Sequence, residues 1–343
     1  MSANKKVVGF GELLLRLNTS QFQRFTQARE FEVFYTGAEA NTCVSLANFG
    51  MDAFVVSKVP ANDIGQACIN FLKGHGLNTD YIVRGGDRLG LFYLEAGASQ
   101  RPSKVIYDRA NSAITTLKKG EIDWKTVLQD KDWLHFSGTA PALSETMPAV
   151  VAEACQIAKQ MGVTVSCDLN YRKKLWSREK AQQVMTGLMA HVDVLLCNEE
   201  DAEMVFGIKA EGVDVQSGRL DVAKYKDVAR QLHQRFGCKY IAITLRESLS
   251  ATINNWSGMV YDGQELYYSR RYSMHVIDRV GGGDSFGGGL IYGLLAGWGM
   301  QDVVEFAAAA SCLKHSIPGD FNLVSLDEVK TLMAGDASGR VQR

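Results

Sequence analysis

The sequence predicts an α/β fold: a central, mostly parallel sheet flanked by helices, with a small β-sheet lid at one edge. Three observations carry that prediction. Short β-branched or aromatic runs, bounded by polar or glycine residues, recur at VVGF (7–10), AFVVSKV (53–59), DWLHF (132–136), VTVSCD (163–168), VDVLLC (192–197) and YIAIT (240–244). Amphipathic helical patterns separate them, near 39–49, 63–75, 145–161, 178–190 and 222–236. Strand–helix alternation gives a parallel sheet, because each crossover helix must pack back onto a sheet face. Finally, two segments break the alternation. Residues 12–36 hold ELLLRL and FEVFYTG, and residues 88–110 hold LGLFYLEA and KVIYDRA, with no helix between the strand-like runs. Antiparallel strands inserted between the βα units, forming the small lid sheet, explain both.

Beyond residue 284 the pattern becomes helical, with AAAAS (307–311) as a tightly packed stripe. A chain of 343 residues, 46% apolar and 22% charged, can bury a large core without disulfides or metal. Its net charge of −1 argues against nucleic acid as a partner, which usually selects a basic surplus. The seven cysteines never come closer than 12 positions, so neither a metal ribbon nor a C-x-x-C motif exists. They read as reduced core thiols of a cytoplasmic protein. Glu12 and Arg16 interrupt any apolar stretch of a signal peptide. The longest uncharged run, Ser285–Gln301, is short for a membrane span and holds six glycines, so a buried helix is expected and no membrane partner.

The strongest motif is GGGDSFGGG, Gly281 to Gly289, followed at once by a helical pattern. Successive glycine amides at a helix N-terminus favour an anion, through unpaired donors and the helix dipole. The carboxylate of Asp284 would stand beside that anion, able to orient a substrate hydroxyl and take its proton during phosphoryl transfer. The plainer reading is an N-capping Asp after a flexible turn, with glycines 287–289 present for close helix packing. A second motif is TGAEAN, Thr36 to Asn41. Gly37 allows a tight strand-to-helix turn, and Glu39 and Asn41 in the first helical turn can face a polyol; a plain helix start is the alternative. No Gly-Lys dipeptide exists, so there is no Walker A loop, and Leu14 holds the third glycine position of a dinucleotide fingerprint.

Together, TGAEAN with ANFG behind it and DRVGGGDSFGGG in the C-terminal third resemble, in order and spacing, the two signatures of the ribokinase-type (PfkB) carbohydrate kinases. The resemblance covers about residues 5–335. Within that family the chain is most similar to the 2-keto-3-deoxygluconate kinases, on GELLLRL (11–17), VIYDRANSA (105–113), SCDLNYRKKLW (166–176) and HSIPGD (315–320).

The resemblance implies one ribokinase-like kinase domain over 1–335, with the lid at about 12–36 and 88–110, and a flexible tail at 336–343. It implies ATP as phosphate donor, Mg²⁺, and a sugar acid as acceptor. Asp284 matches the catalytic base, and Gly281, Gly282 and Gly283 its anion hole, with Gly282 where alanine is usual. Tyr107, Arg109 and Arg172, with Asn170 beside the last, match the sugar-acid site. An arginine fork can bind a carboxylate through two parallel hydrogen bonds, which a neutral sugar cannot offer. Asp320 matches a position near the distal hydroxyls, and Phe92 stands where tyrosine is common. Asn198 and Asp201 match an N-x-x-E element near the metal, with Glu199 and Glu200 close by. On the nucleotide side, Thr244 ends a strand. Arg246, Ser248 and Ser250 then lie in a glycine-free loop, 245–251. A homodimer through the lid strands is a further implication. Two alternatives stay open: a kinase of the same family acting on fructose, ribose or 5-dehydro-2-deoxygluconate, and a non-catalytic sugar-acid sensor.

Overall fold

The computed structural model describes residues 4–198, 200–209 and 222–335. The tail 336–343 and Glu199 lie outside them.

The chain opens with β1 (Lys6–Phe10), β2 (Leu14–Thr19), β3 (Phe31–Thr36), α1 (Ala38–Asn48), β4 (Asp52–Val59), α2 (Asp63–Gly74), β5 (Ile82–Arg84), β6 (Gly90–Glu95) and β7 (Lys104–Asp108). It continues through α3 (Trp124–Leu128), β8 (Trp133–Ser137), α4 (Met147–Gln160), β9 (Thr164–Asp168), α5 (Arg178–Met189), β10 (Val194–Cys197), α6 (Asp201–Phe206) and α7 (Val222–Phe236). The last third is β11 (Tyr240–Ser248), β12 (Ile253–Tyr261), β13 (Leu266–Tyr268), β14 (Tyr272–His275), α8 (Gly282–Leu295), α9 (Met300–Lys314) and α10 (Leu326–Met333).

The main sheet runs β13-β12-β11-β10-β9-β8-β1-β4-β5. From β11 to β5 every pairing is parallel. Alternation along the central strands sends side chains to two cores. Val8, Phe10, Leu134 and Phe136 join one cluster, while Val7, Trp133, Val194 and Leu196 join the other. Helices therefore cover both faces, as expected of a parallel sheet.

Two features depart from the sequence reading. The strand series does not stop at Thr244: β12, β13 and β14 extend the sheet as antiparallel strands. Buried Asn254 and Asn255 interrupt the apolar pattern of β12 and hide it. The second sheet, ordered β3-β2-β6-β7, is also not wholly antiparallel. Its β2–β6 pair is parallel. Each insertion leaves the main sheet after a parallel strand, β1 or β5, so their first strands point the same way.

Helices α8 and α9 pack very closely. A Cβ on Gly288 would sit 2.6 Å from Ser45 Cβ in α1, and one on Gly289 would sit 2.8 Å from Ala307 Cα in α9. The glycines at 287–289 are thus packing glycines, and only 281–283 stand at the helix start. Among the described residues, no helix is long and apolar enough to cross a membrane, and all seven cysteines are free thiols.

Candidate active site

The carboxyl ends of β1, β8, β9, β10 and β11 open into a cleft of ≈ 390 Å³ beneath the small sheet. Ligands of open α/β sheets bind at that edge. Gly37, Glu39, Asn41, Tyr107, Arg109, Asn170, Arg172, Asn198, Asp201, Thr244, Arg246, Gly281, Gly282, Gly283, Asp284 and Asp320 all line it. Residues from every third of the chain meet there.

Gly281 precedes α8 in the left-handed region, φ 82°. It must be glycine on two counts, because a Cβ would collide with the Asp320 carbonyl oxygen. The turn it closes brings the Gly282 amide to the Arg279 carbonyl at 3.3 Å, so that donor is committed. Among the described residues, the amides of Gly281, Gly283 and Asp284 have no protein acceptor. The cradle expected from three glycines is therefore built from the amides on either side of Gly282 and from Asp284 itself. Gly283 faces open space. With the positive end of α8 behind them, these donors can hold an anion.

Asp284 stands half-buried in the first turn. Asn41 Nδ2 donates to its Oδ2 at 2.6 Å, and Thr36 donates to Asn41 Oδ1 at 3.0 Å. Burial pushes the Asp284 carboxyl up to about 6; Asn41 opposes the shift, Asp320 adds to it, and Arg172 and Lys314 oppose it. A carboxylate with that value can both hold and accept a proton near neutrality. Glu39 is less available than TGAEAN suggested. Its Oε1 accepts the Ser137 amide at 2.8 Å, its carboxylate presses on Gly11, and burial pushes it up to about 7.

Two acidic residues of the cleft escaped the sequence reading. Asp168, at the end of β9, is pushed well above the usual range by burial, then by Asp201 and Asp284, with Arg172 opposing. Its Oδ1 accepts the amide of Asn170, which holds φ 37°, a left-handed conformation that asparagine tolerates. Glu12 is fully engaged. Arg109 Nε donates to its Oε2 at 2.8 Å, Arg109 Nη2 contacts the same oxygen, and Ser112 donates to Oε1 at 2.8 Å. Asp168 sits at a strand's carboxyl end, a position that could have flagged it. Glu12 carried no local signal, because its partners are about a hundred residues away in sequence.

Arg109 and Tyr107 both reach the cleft, the guanidinium 5.2 Å from the ring centroid. Arg109 is ion-paired, with the buried Glu12. Arg172 is exposed and has no protein partner among the described residues. Phe92 lines the cleft, and Tyr93 takes the opposite face of β6. Asp320 is buried, not a solvent-exposed turn residue.

The expected metal pair serves the backbone. Asp201 accepts the amides of Tyr171 and Asn198 at 3.1 and 3.3 Å, and Asn198 Oδ1 accepts those of Glu200 and Asp201 at 2.8 and 2.9 Å. The short aspartate side chain folds back on the start of α6. No group of three His, Cys, Asp or Glu side chains is disposed to hold a metal among the described residues.

The nucleotide loop expected at 245–251 is mostly strand. Leu245 to Ser248 continue β11, with Arg246 opposite Trp256 and Ser248 opposite Asn254. Ser250 Oγ accepts the amides of Thr252 and Ile253 at 3.2 and 3.0 Å, tightening the turn into β12. Neither serine lines the cleft, whereas Thr244 and Arg246 do. A polar hairpin reads as a loop when its second strand goes unrecognised.

The Asp284 value fixes a pH dependence. Folding raises this carboxyl from an ordinary 3.8 to about 6. Its contribution to stability is therefore complete below about pH 4 and lost as pH rises through 6. Asp284→Asn, which cannot ionise, should raise stability at about pH 7.5 by on the order of 1–3 kcal/mol, and the gain should vanish near pH 4. Thermal melts across that range check it; a variant less stable than the parent at every pH would contradict the assignment.

The pfkB family carbohydrate kinases match this chain over residues 4–322. The 2-dehydro-3-deoxygalactonokinase of Haloferax volcanii is 31% identical over 336 residues, covering 97% of this chain and 98% of that protein. The crystal structure of 2-dehydro-3-deoxygluconokinase from Thermotoga maritima superposes with a TM-score of 0.94 at 49% identity, covering 97% of this chain and 100% of that one. A putative ribokinase II from E. coli, solved with ATP and Mg²⁺, shares the fold with a TM-score of 0.79 at 20% identity, covering 96% of this chain and 99% of that one. With the motifs, the fold and the cleft in agreement, this chain belongs to the pfkB family of carbohydrate kinases, phosphotransferases whose acceptor is an alcohol group.

Proposed function

We propose that this kinase transfers the γ-phosphate of ATP to the terminal hydroxyl of 2-keto-3-deoxygluconate, giving the 6-phosphate. The observation that carries the reading is Arg172, a guanidinium with no side-chain hydrogen bond or ion pair among the described residues, on the same cleft as Arg109 and Asp284. A site holding such a cation favours an anionic acceptor, because a carboxylate can take two parallel hydrogen bonds from its fork and a neutral sugar cannot. Arg109 keeps donors beyond those spent on Glu12, so both forks can serve one carboxylate. Tyr107 and Asn170 flank it, and Asp320 and Asn41 offer acceptors and donors to hydroxyls.

Asp284 then orients the terminal hydroxyl and takes its proton. The amides of Gly281, Gly283 and Asp284 stabilise the charge on the transferring group, which is mainly electrostatic work. These unspent donors beside an open Gly283 fit a polyphosphate, with Thr244 and Arg246 along its path. For Mg²⁺ the fit lies in Asp168 and Asp284, which repel one another in the cleft; a bound cation would supply charge neutralisation there. Asn198 and Asp201 would shape the neighbouring loop. The small sheet acts as a lid, excluding water as it closes.

The name of the Haloferax relative favours a second acceptor, 2-keto-3-deoxygalactonate, which differs at one carbon. Coupled ADP release measured with 2-keto-3-deoxygluconate, its C4 epimer and fructose tests the reading. The sugar acids should exceed fructose in kcat/KM by at least about a hundredfold, since a neutral acceptor forfeits the charge-assisted hydrogen bonds to the guanidinium groups. Comparable rates with fructose would overturn it.

The lid sheet also supports a homodimer. On its outer face Val33, Leu17, Tyr93 and Ile106 lie side by side across all four strands. Val33 and Ile106 are 52% and 53% exposed. An uncharged row of this kind can meet its own copy about a twofold axis. Sedimentation should find a dimer that Val33→Asp with Ile106→Asp dissociates; a monomeric parent at high concentration would contradict it.

A further inference from the structure

Arg16, within GELLLRL, is a heavily partnered buried cation beside the cleft. It lies on the inner face of β2 and is 1% exposed. Its Nη2 donates to Asp278 Oδ2 at 2.6 Å and to Asn18 Oδ1 at 3.2 Å, and its Nη1 contacts Asp320 Oδ1. Phe34 lies 5.2 Å beneath the guanidinium. Burial opposes the charge, but the two carboxylates prevail and hold the guanidinium above its usual value.

The two carboxylates belong to the two loops that frame the acceptor end of the cleft. Asp278 precedes the triple glycine, and its oxygens accept the amides of Val280 at 3.1 Å and Gly319 at 3.0 Å. Its carbonyl accepts Lys314 Nζ at 3.0 Å. Asp320 follows Gly319, and its carbonyl packs on Gly281. One guanidinium thus joins the small sheet to the loop that starts α8 and to the loop after α9.

Two buried atoms of this network are left over, Arg16 Nε and Asp320 Oδ2. Asp320 Oδ2 is buried and has no hydrogen-bond partner, while the residue lines the cleft. A buried carboxylate oxygen without a donor is expensive and calls for an explanation. A hydroxyl of the bound sugar is a donor of the right kind.

We propose that Arg16 is a positioning residue for acceptor recognition: it fixes the Asp320 carboxylate, with one oxygen occupied and the other presented to a substrate hydroxyl. Because Arg16 stands on β2, the acceptor site is complete only when the small sheet is seated. This rests on the proposed role of Asp320 at the sugar. It goes beyond that role in naming what orients Asp320 and which sheet carries it.

The test is a mutant cycle of Arg16→Met, Asp320→Asn and the pair, with Arg16→Lys as the conservative variant. KM is read for the best acceptor of the sugar panel and separately for ATP. Each single change should raise the acceptor KM by at least about tenfold while the ATP KM stays within about twofold. The pair should be no worse than the stronger single change, since both act on one hydrogen bond. Arg16→Lys should recover part of the loss. An unchanged acceptor KM in Arg16→Met, or losses that multiply in the pair, would overturn the proposal. Arg16→Met could fail to fold by stranding two carboxylates; the pair, with Asp320 neutralised, and Arg16→Lys still decide the question. Using the best acceptor, whichever sugar it is, keeps failure of the substrate assignment a separate result.

Discussion

The hydrogen bond from Asn41 to Asp284, 2.6 Å long, is the interaction around which the cleft is organised. It joins the starts of α1 and α8, helices separated by more than two hundred residues. The two helices pack side by side because α8 has no side chains at 288 and 289 to keep its neighbours α1 and α9 away. Their positive ends therefore converge on one point. A carboxylate held there by an amide donor is fixed in direction, and its proton affinity is set by burial on one side and Asn41, Arg172 and Lys314 on the other.

Charge crowding is the second constraint. Glu39, Asp168, Asp201 and Asp284 share a small volume, and burial raises each of them. Such an arrangement is unfavourable for folding alone. It becomes sensible for a site that receives cations and handles a proton. Arg172 offsets part of the repulsion, and on the small-sheet side Arg109 and Arg16 each answer buried carboxylates of their own. The cleft thus combines an acidic floor carrying Asp284 with the guanidinium groups of Arg109, Arg172, Arg246 and Arg279 in its lining.

Much of this was legible before any coordinates. The helix start at 281–284, the turn at Gly37 and the strand series up to Thr244 are local patterns, so sequence spacing reports them directly. What was not legible depends on distant partners. Glu12 and Arg109 find each other across 97 positions, and Arg16 and Asp320 across 304. Ser248 and Ser250 looked available because the strand β12, which consumes their surroundings, carries buried asparagines. Asp201 looked like a metal residue because nothing in sequence reveals that its oxygens face two backbone amides. The Gly282 amide was counted as free until the left-handed Gly281 turned it toward Arg279.

The central claim is that Asp284 acts on the acceptor hydroxyl. Asp284→Asn preserves its size and its place beside Asn41 but removes the proton acceptor. Isothermal titration of sugar acid and coupled ADP release on the same preparation test this most directly. The account predicts near-normal acceptor binding with turnover reduced by at least about a thousandfold. Turnover close to that of the parent enzyme would contradict it.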